Sequence, residues 1–324
     1  MAFKIGTGLL FAAGVAALAG CDGSGTAMTA MSAQRSDTAI QQFPVHAART
    51  NPDLKGVVIY LSNIDGQPGL GNVYVYPSNL GWHGSTPIRV ISQGTVRPWG
   101  EWVDGNGTLY VANIPQGAPT TGVSEFHPGA SVPFQYLTDA LQDPTAVAVA
   151  KDGTVYVNQA ISDAGYVTVY PPGSTVASTT LNLNFGGYAF GAGQMAFAKN
   201  GDLLVVDSTF KSGSHVFRIT PGTFAVRDLG LNLPSEQASG LAVDPAGNIY
   251  VSAFYSATIS VFAPGSKTAS RTINESADAL TFLPNGDLFA ATESGVDEFQ
   301  PGGSTPVNSI SAPIQGFGVA LGPR

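Results

Sequence analysis

Few side chains in this sequence can do chemistry, and they are scattered along it. Glu101 lies in PWGEWVDGNG (from Pro98), where related segments carry an aliphatic residue. A carboxylate set into an inner strand is desolvated and its pKa rises, as it does for catalytic acids. The plainer reading is a local shift that turns Glu101 to water or pairs it with Arg97, because structural ion pairs also perturb pKa values. Asp207 and Asp278 are the other carboxylates of interest. With Glu101 they can serve metal-assisted hydrolysis only if all three converge on one ion, since a calcium-type cation takes six to eight oxygens at about 2.3–2.6 Å. Asn63, Asn113, Gln159 and Asp207 end corresponding segments, and a ring of such groups can hydrogen-bond a ligand at a channel mouth. The same side chains also cap turns by satisfying local backbone groups.

Other chemistry is thinly represented. The histidines are His46, His83, His127 and His215, and none has a partner at zinc-site spacing. No G-x-S-x-G elbow is present. GAGQMA (Gly191 to Ala196) matches a dinucleotide-binding pattern but leads into a strand, so no helix N-terminus is available for a pyrophosphate. DGNG at Asp104 resembles the start of a calcium loop without the later bidentate Glu. No cofactor is expected, and a divalent cation enters only with the convergent-carboxylate reading. Aromatic residues are more suggestive. Phe185, Tyr188 and Phe190 lie among glycines in NLNFGGYAFGAG (from Asn182), and Trp82 lies with His83 in another loop. Loop aromatics over a rigid scaffold are common binding tools, and they also serve as packing between elements.

The elements that must position these residues are repeats. Gly-x-aliphatic-aromatic cores begin at Gly107, Gly153, Gly201, Gly247 and Gly286, spaced by 46, 48, 46 and 39 residues. Pro-Gly turns keep step at Pro128, Pro172, Pro221, Pro264 and Pro301. The clearest copy runs from Ser239 to Ile273 and reads as four short strands joined by tight turns. Periods of this length with several strands each predict propeller blades. Five copies are complete. A sixth is split: KGVVIYLSN (from Lys55), GNVYVYP (from Gly71) and PIRVI (from Pro87) supply three strands, and GVALGP (Gly318 to Pro323) supplies the missing first one. The prediction is an all-β, six-bladed propeller over residues 53–324, with four-stranded blades, closed by the C-terminal strand against the N-terminal blade. An open solenoid or paired sandwiches would leave that last strand unexplained.

SGLAVDPAGNIYVS (from Ser239) resembles NHL-type repeats and those of the senescence-marker/gluconolactonase-like propellers. The resemblance covers roughly residues 55–324 and implies fold more than function, because propellers host many activities. The gluconolactonase-like family is metal-dependent, with ligands from several blades facing the channel. The corresponding positions here are Trp99, Thr145, Gly193, Ser239, Asp278 and Phe317, of which only Asp278 is a strong ligand. That departure counts against a lactonase.

The first 20 residues carry Lys4 and an apolar run from Leu9 to Leu18, which fits a secretory signal and is short for a membrane span of about 20 residues. Leu18-Ala19-Gly20-Cys21 resembles the lipobox of bacterial lipoproteins, and Cys21 is the only thiol in the chain. The resemblance implies a diacylglyceryl thioether on Cys21, cleavage before it, and attachment to the bilayer without a span. Asp22 follows, a residue that favours inner-membrane retention in enterobacterial lipoproteins. Residues 21–52 then read as the lipidated Cys and a flexible polar tether.

With 14 Lys plus Arg against 22 Asp plus Glu and no basic run, the chain is a poor match for nucleic acid. Its single cysteine excludes an internal disulfide. The expected function is a membrane-anchored extracytoplasmic module that binds or scaffolds a protein, peptide or glycan. The alternative is a metal-dependent hydrolase, lactonase or lyase with a rearranged site. A structural role in envelope assembly fits the same features as the binding module.

Overall fold

Segments such as LYVAN and IYVSA are apolar on both faces, so they demand sheets covered on both sides, and the glycine turns between them set antiparallel hairpins. The computed structural model describes residues 56–323 except 65–70, 79–85, 115–121, 162–163, 184–188, 210–212, 235–236, 254–255 and 313–315, with backbone alone at 161, 164, 189–192 and 209. The signal, Cys21 and the tether therefore lie outside the described residues.

Six four-stranded antiparallel sheets form the six blades of a β-propeller. Blade 1 comprises β1 (Val57–Asn63), β2 (Asn72–Pro77) and β3 (Arg89–Ile91), and its innermost strand is the C-terminal β24 (Gly316–Pro323). Blade 2 runs β4 (Pro98–Val103), β5 (Leu109–Asn113), β6 (Gly122–Phe126), β7 (Gln135–Leu137). Blade 3 runs β8 (Pro144–Val149), β9 (Val155–Ile161), β10 (Ala164–Tyr170), β11 (Thr179–Asn182). Blade 4 runs β12 (Ala189–Phe197), β13 (Leu203–Thr209), β14 (Gly213–Thr220), β15 (Ala225–Asp228). Blade 5 runs β16 (Ala238–Val243), β17 (Ile249–Ala253), β18 (Thr258–Phe262), β19 (Arg271–Ile273). Blade 6 runs β20 (Ala279–Phe282), β21 (Leu288–Thr292), β22 (Gly295–Phe299), β23 (Asn308–Ser311). The predicted closure is observed: β24 pairs antiparallel with β1, from Val57 opposite Pro323 to Asn63 opposite Gly316.

The innermost strands β24, β4, β8, β12, β16 and β20 pack on one another in a closed cycle around the axis. Each seam between neighbouring blades holds one apolar cluster. The seam of blades 1 and 2, for instance, joins Tyr60, Val73 and Ile91 to Leu109, Val111 and Phe126. The others join blades 2 and 3, 3 and 4, 4 and 5, 5 and 6, and 6 and 1. Burying aromatic and branched side chains at about 25 cal/mol per Å² is what holds the blades together, since no backbone ladder crosses a seam. Polar stitches add to it where a second-strand side chain meets the next blade's first strand: Ser62 Oγ donates to Trp99 O (3.2 Å), Asn158 Nδ2 to Gly193 O (2.9 Å) and Ser208 Oγ to Ala238 O (2.8 Å). The turn between first and second strands requires a positive φ, and Gly107, Gly153, Gly201, Gly247 and Gly286 supply it at 82° to 93°.

Candidate functional site

The six inner strands enclose a cavity of about 960 Å³ on the axis. It opens at the end of the blades that carries the first-to-second-strand turns. Three of those turns form its rim: Asp104–Asn106, Lys151–Gly153 and Lys199–Gly201. Its wall is largely apolar, with Val103, Val149, Phe197, Val243, Phe282 and Leu321 among the residues exposed to it. The rim asparagine and aspartates are partly committed to their own turns: Asp104 Oδ1 accepts from Asn106 N (2.8 Å) and Thr108 N (2.9 Å), so DGNG is a turn cap.

Gln194, Glu101 and Thr281 are the polar residues that the inner strands contribute to its lining. Gln194 occupies the register position held by Gly100, Ala146, Gly240, Ala279 and Gly318 in the other blades. Its Oε1 accepts from Leu241 N (3.0 Å) and Leu280 N (2.8 Å), and its Nε2 donates to Leu280 O (2.8 Å). One side chain from blade 4 thus ties the inner strands of blades 5 and 6. Glu101 occupies the next register position, where the other blades place Val147, Met195, Leu241, Leu280 and Val319. Its residue is 5% exposed, and neither carboxylate oxygen has a hydrogen-bond partner. The carboxyl lies in the seam against Gly318, close enough that a Cβ there would overlap it, with Trp99 O and Ser62 Oγ beside it. Burial holds its pKa well above the usual carboxylate value, with the nearby Ser62 hydroxyl acting the other way. Glu101 therefore neither turns to water nor pairs with Arg97. Arg97 is itself buried and faces the charge of Asp143.

The residues expected at a polar mouth lie at the opposite end of the blades from the cavity rim, and they are buried. Asn113 Oδ1 accepts from Val96 N (2.9 Å) and its Nδ2 donates to Val111 O (3.1 Å) and Ser124 Oγ (3.0 Å). Gln159 Oε1 accepts from Gln142 N (2.8 Å), and its Nε2 donates to Ala140 O (3.0 Å) and Thr168 Oγ1 (2.6 Å). Both pin the connection that enters their own blade, so they are structural caps rather than an open ring. Asn63 is 2% exposed at the end of β1. Asp207 is fully buried; its Oδ1 accepts from Ser208 N (2.8 Å), while its Oδ2 has no partner and lies against Gly165 of blade 3. Burial raises its pKa to about 7. Asp278 is half-buried ahead of β20, and its backbone N donates to Ala291 O (2.9 Å).

Glu101, Asp207 and Asp278 thus lie on different blades, and among the described residues no three His, Cys, Asp or Glu side chains are grouped to hold a metal. At the positions aligned with lactonase ligands, Trp99 and Phe317 form a ring pair with centroids 4.8 Å apart. His215 bonds Asp228 through Nδ1 (2.7 Å) on adjacent strands of blade 4. Trp82, Phe185 and Tyr188 lie outside the described residues, as does the side chain of Phe190 in β12. Gln194 is what sequence reasoning missed. Aligning the repeats would have exposed it, because every other blade has Gly or Ala there.

No family model matches the sequence, and no curated protein matches it. Solved structures do. The chain is similar to a chain of the nidogen/laminin complex at 13% identity and TM-score 0.59, covering 82% of this chain and 98% of that one. It is similar to a Bacteroides caccae protein of unknown function at 11% identity and TM-score 0.60, covering 82% and 99%. It is also similar to Kuenenia stuttgartiensis hydrazine synthase at 15% identity and TM-score 0.55, covering 71% and 80%. At such identities the likeness is one of fold, and it defines the class: a six-bladed β-propeller.

Proposed function

We propose that this chain is an exported lipoprotein whose propeller is a binding module, held at a membrane by acylated Cys21 and taking a protein, peptide or glycan partner outside the cytoplasm. The observation that carries the binding reading is the cavity of about 960 Å³ on the axis, within the few-hundred-to-1,000 Å³ range of small-molecule sites. Its apolar wall and its rim of lysines, aspartates and asparagines suit the exposed end of a peptide or sugar chain better than a catalytic ion. The anchor reading rests on Leu18-Ala19-Gly20-Cys21 and on the chain's one thiol falling there.

Thermal unfolding with a panel of short peptides and oligosaccharides tests the binding reading, since a ligand of the folded state raises the melting temperature by mass action. Ala150→Trp, which adds a ring among the residues that line the cavity, is expected to abolish any such rise. A rise that survives Ala150→Trp moves the site elsewhere. Cys21→Ser is expected to release the protein from the membrane fraction.

A further inference from the structure

The blades are internal controls for one another, and their outermost strands are not equivalent. Ile88, Phe134, Ser178, Ser270 and Val307 each donate the same backbone hydrogen bond, to Val75, Glu125, Val169, Val261 and Glu298 respectively. Val90, Tyr136, Thr180, Thr272 and Ser309 follow two residues on, opposite the middle of the third strand in every case. Blades 3 and 5 put hydroxyl residues at both positions, as a solvated edge requires. Blades 1 and 2 put Ile88, Val90, Phe134 and Tyr136 there, 42–46% exposed. In the turn before the strand, Val132 in blade 2 and Val176 in blade 3 are 55% and 64% exposed, where blades 1 and 5 carry Thr86 and Thr268.

These six are all the exposed large apolar residues among the described residues, and they fall on three consecutive blades. The patch is continuous across the first seam. Gly94, just after β3, abuts Pro133 and the Tyr136 hydroxyl. Arg89 donates from blade 1 to Gly129 O in blade 2, and the His127 ring stacks on Phe134 at 4.0 Å. A grouped apolar rim, where blades 3 and 5 carry hydroxyls at both positions, marks a contact surface.

We propose that this rim of blades 1 to 3 rests on the lipid bilayer, with Ile88, Val90, Val132, Phe134 and Tyr136 dipping to headgroup depth. The proposal rests on the anchoring of Cys21. The argument for lipid over another occupant is where the chain enters the propeller. β1 begins at Val57 in blade 1, the blade that carries Ile88 and Val90, and 35 residues separate it from Cys21. No conformation of such a segment reaches beyond roughly 120 Å. The bilayer is thus presented to the propeller at an effective concentration on the order of a millimolar, at which weak apolar contacts are populated. The patch is too small for stable attachment unaided and suited to orienting a body already held. Tyr136, with an apolar ring and a polar tip, is the side chain type enriched at headgroup depth. Seated this way, the propeller stands on its side, and both ends of its axis, the cavity rim included, stay open to solvent.

The test uses the full lipidated chain in vesicles of phosphatidylethanolamine and phosphatidylglycerol containing a doxyl-labelled lipid. Val132→Cys and, separately, Thr268→Cys accept a fluorophore, since Cys21 is the chain's only other thiol. The expected result is quenching of the label at position 132 at least twofold greater than at 268. Adding Ile88→Lys with Val90→Lys should bring the two to the same level without moving the melting temperature. Equal quenching in the unaltered background on a chain whose intact mass shows the lipid overturns the docking and leaves the anchor standing. An intact mass without lipid overturns the anchor, and the docking with it. A dimer seen by light scattering and dispersed by the Lys pair would assign the patch to a second copy and likewise overturn the proposal.

Discussion

Gln194 and Glu101 sit at adjacent register positions on inner strands of different blades, each polar where the repeat asks for a small or an aliphatic residue. Their surroundings differ in one respect. Gln194 makes three hydrogen bonds to the backbone of two neighbouring blades, whereas neither Glu101 oxygen makes one. The same kind of intrusion is therefore a tie in one seam and a burden in another. A buried polar group stabilises only when its partners are present, and costs about 1–3 kcal/mol when they are not. Asp207 is intermediate, with one oxygen bonded and one bare.

That contrast makes predictions of decreasing size. The largest concerns pH. The folded-state pKa of Asp207 is about 7 against 3.8 for the free side chain. The native state thus keeps a proton that the unfolded chain releases, and stability must fall as pH rises from about 4 to about 7. The total is on the order of 4 kcal/mol, and Glu101 adds to the fall in the same direction from near its ordinary value upward. Urea unfolding across this range should show the slope, and Asp207→Asn should flatten it; a slope unchanged in Asp207→Asn would mean that the carboxyl is charged in the fold.

Gly318→Ala comes next. Its Cβ would overlap the Glu101 carboxyl and crowd Trp99 O, which predicts a loss of about 3 kcal/mol, partly recovered when Glu101→Ala is added. Lack of any recovery would place the clash on the backbone alone. Gln194→Leu strands Leu241 N and both backbone groups of Leu280, for an expected loss of about 2 kcal/mol in the urea midpoint. Glu101→Leu, which restores the aliphatic residue of the other blades, should gain about 1 kcal/mol at neutral pH. If Glu101→Leu instead destabilises, the carboxyl has a partner in solution and the contrast with Gln194 collapses.

The fold was legible because its markers are local and repeated. In blades 2 to 6 a positive-φ glycine at the first turn and a Pro-Gly at the third reveal the period, and GVALGP reads as a first strand wherever it falls. The site was less legible. Asn113 and Gln159 were recognised as a recurring class, but whether such a group faces a ligand or a backbone amide depends on a connection 17 residues away, as with Val96 and Gln142. Glu101 was singled out by type, yet its carboxyl is seated against Gly318, which is 217 positions distant in sequence and adjacent only once the ring is closed. Which end of the axis opens into a cavity depends on how all six inner strands tilt together, and no single repeat encodes that.

The pairing of β1 with β24 also has a kinetic side. Every other blade is a run of fewer than 45 residues whose strands meet their neighbours as soon as they are synthesised. Val57 must wait for Pro323. Closing so long a loop costs roughly 2 kcal/mol more than closing a single blade, on the logarithmic scaling of loop entropy. Blades 2 to 6 can therefore assemble before blade 1 is complete, and until β24 arrives the edge of β1 is an open template. Arrival of β24, rather than completion of any other blade, sets when the propeller ceases to be vulnerable to misassembly.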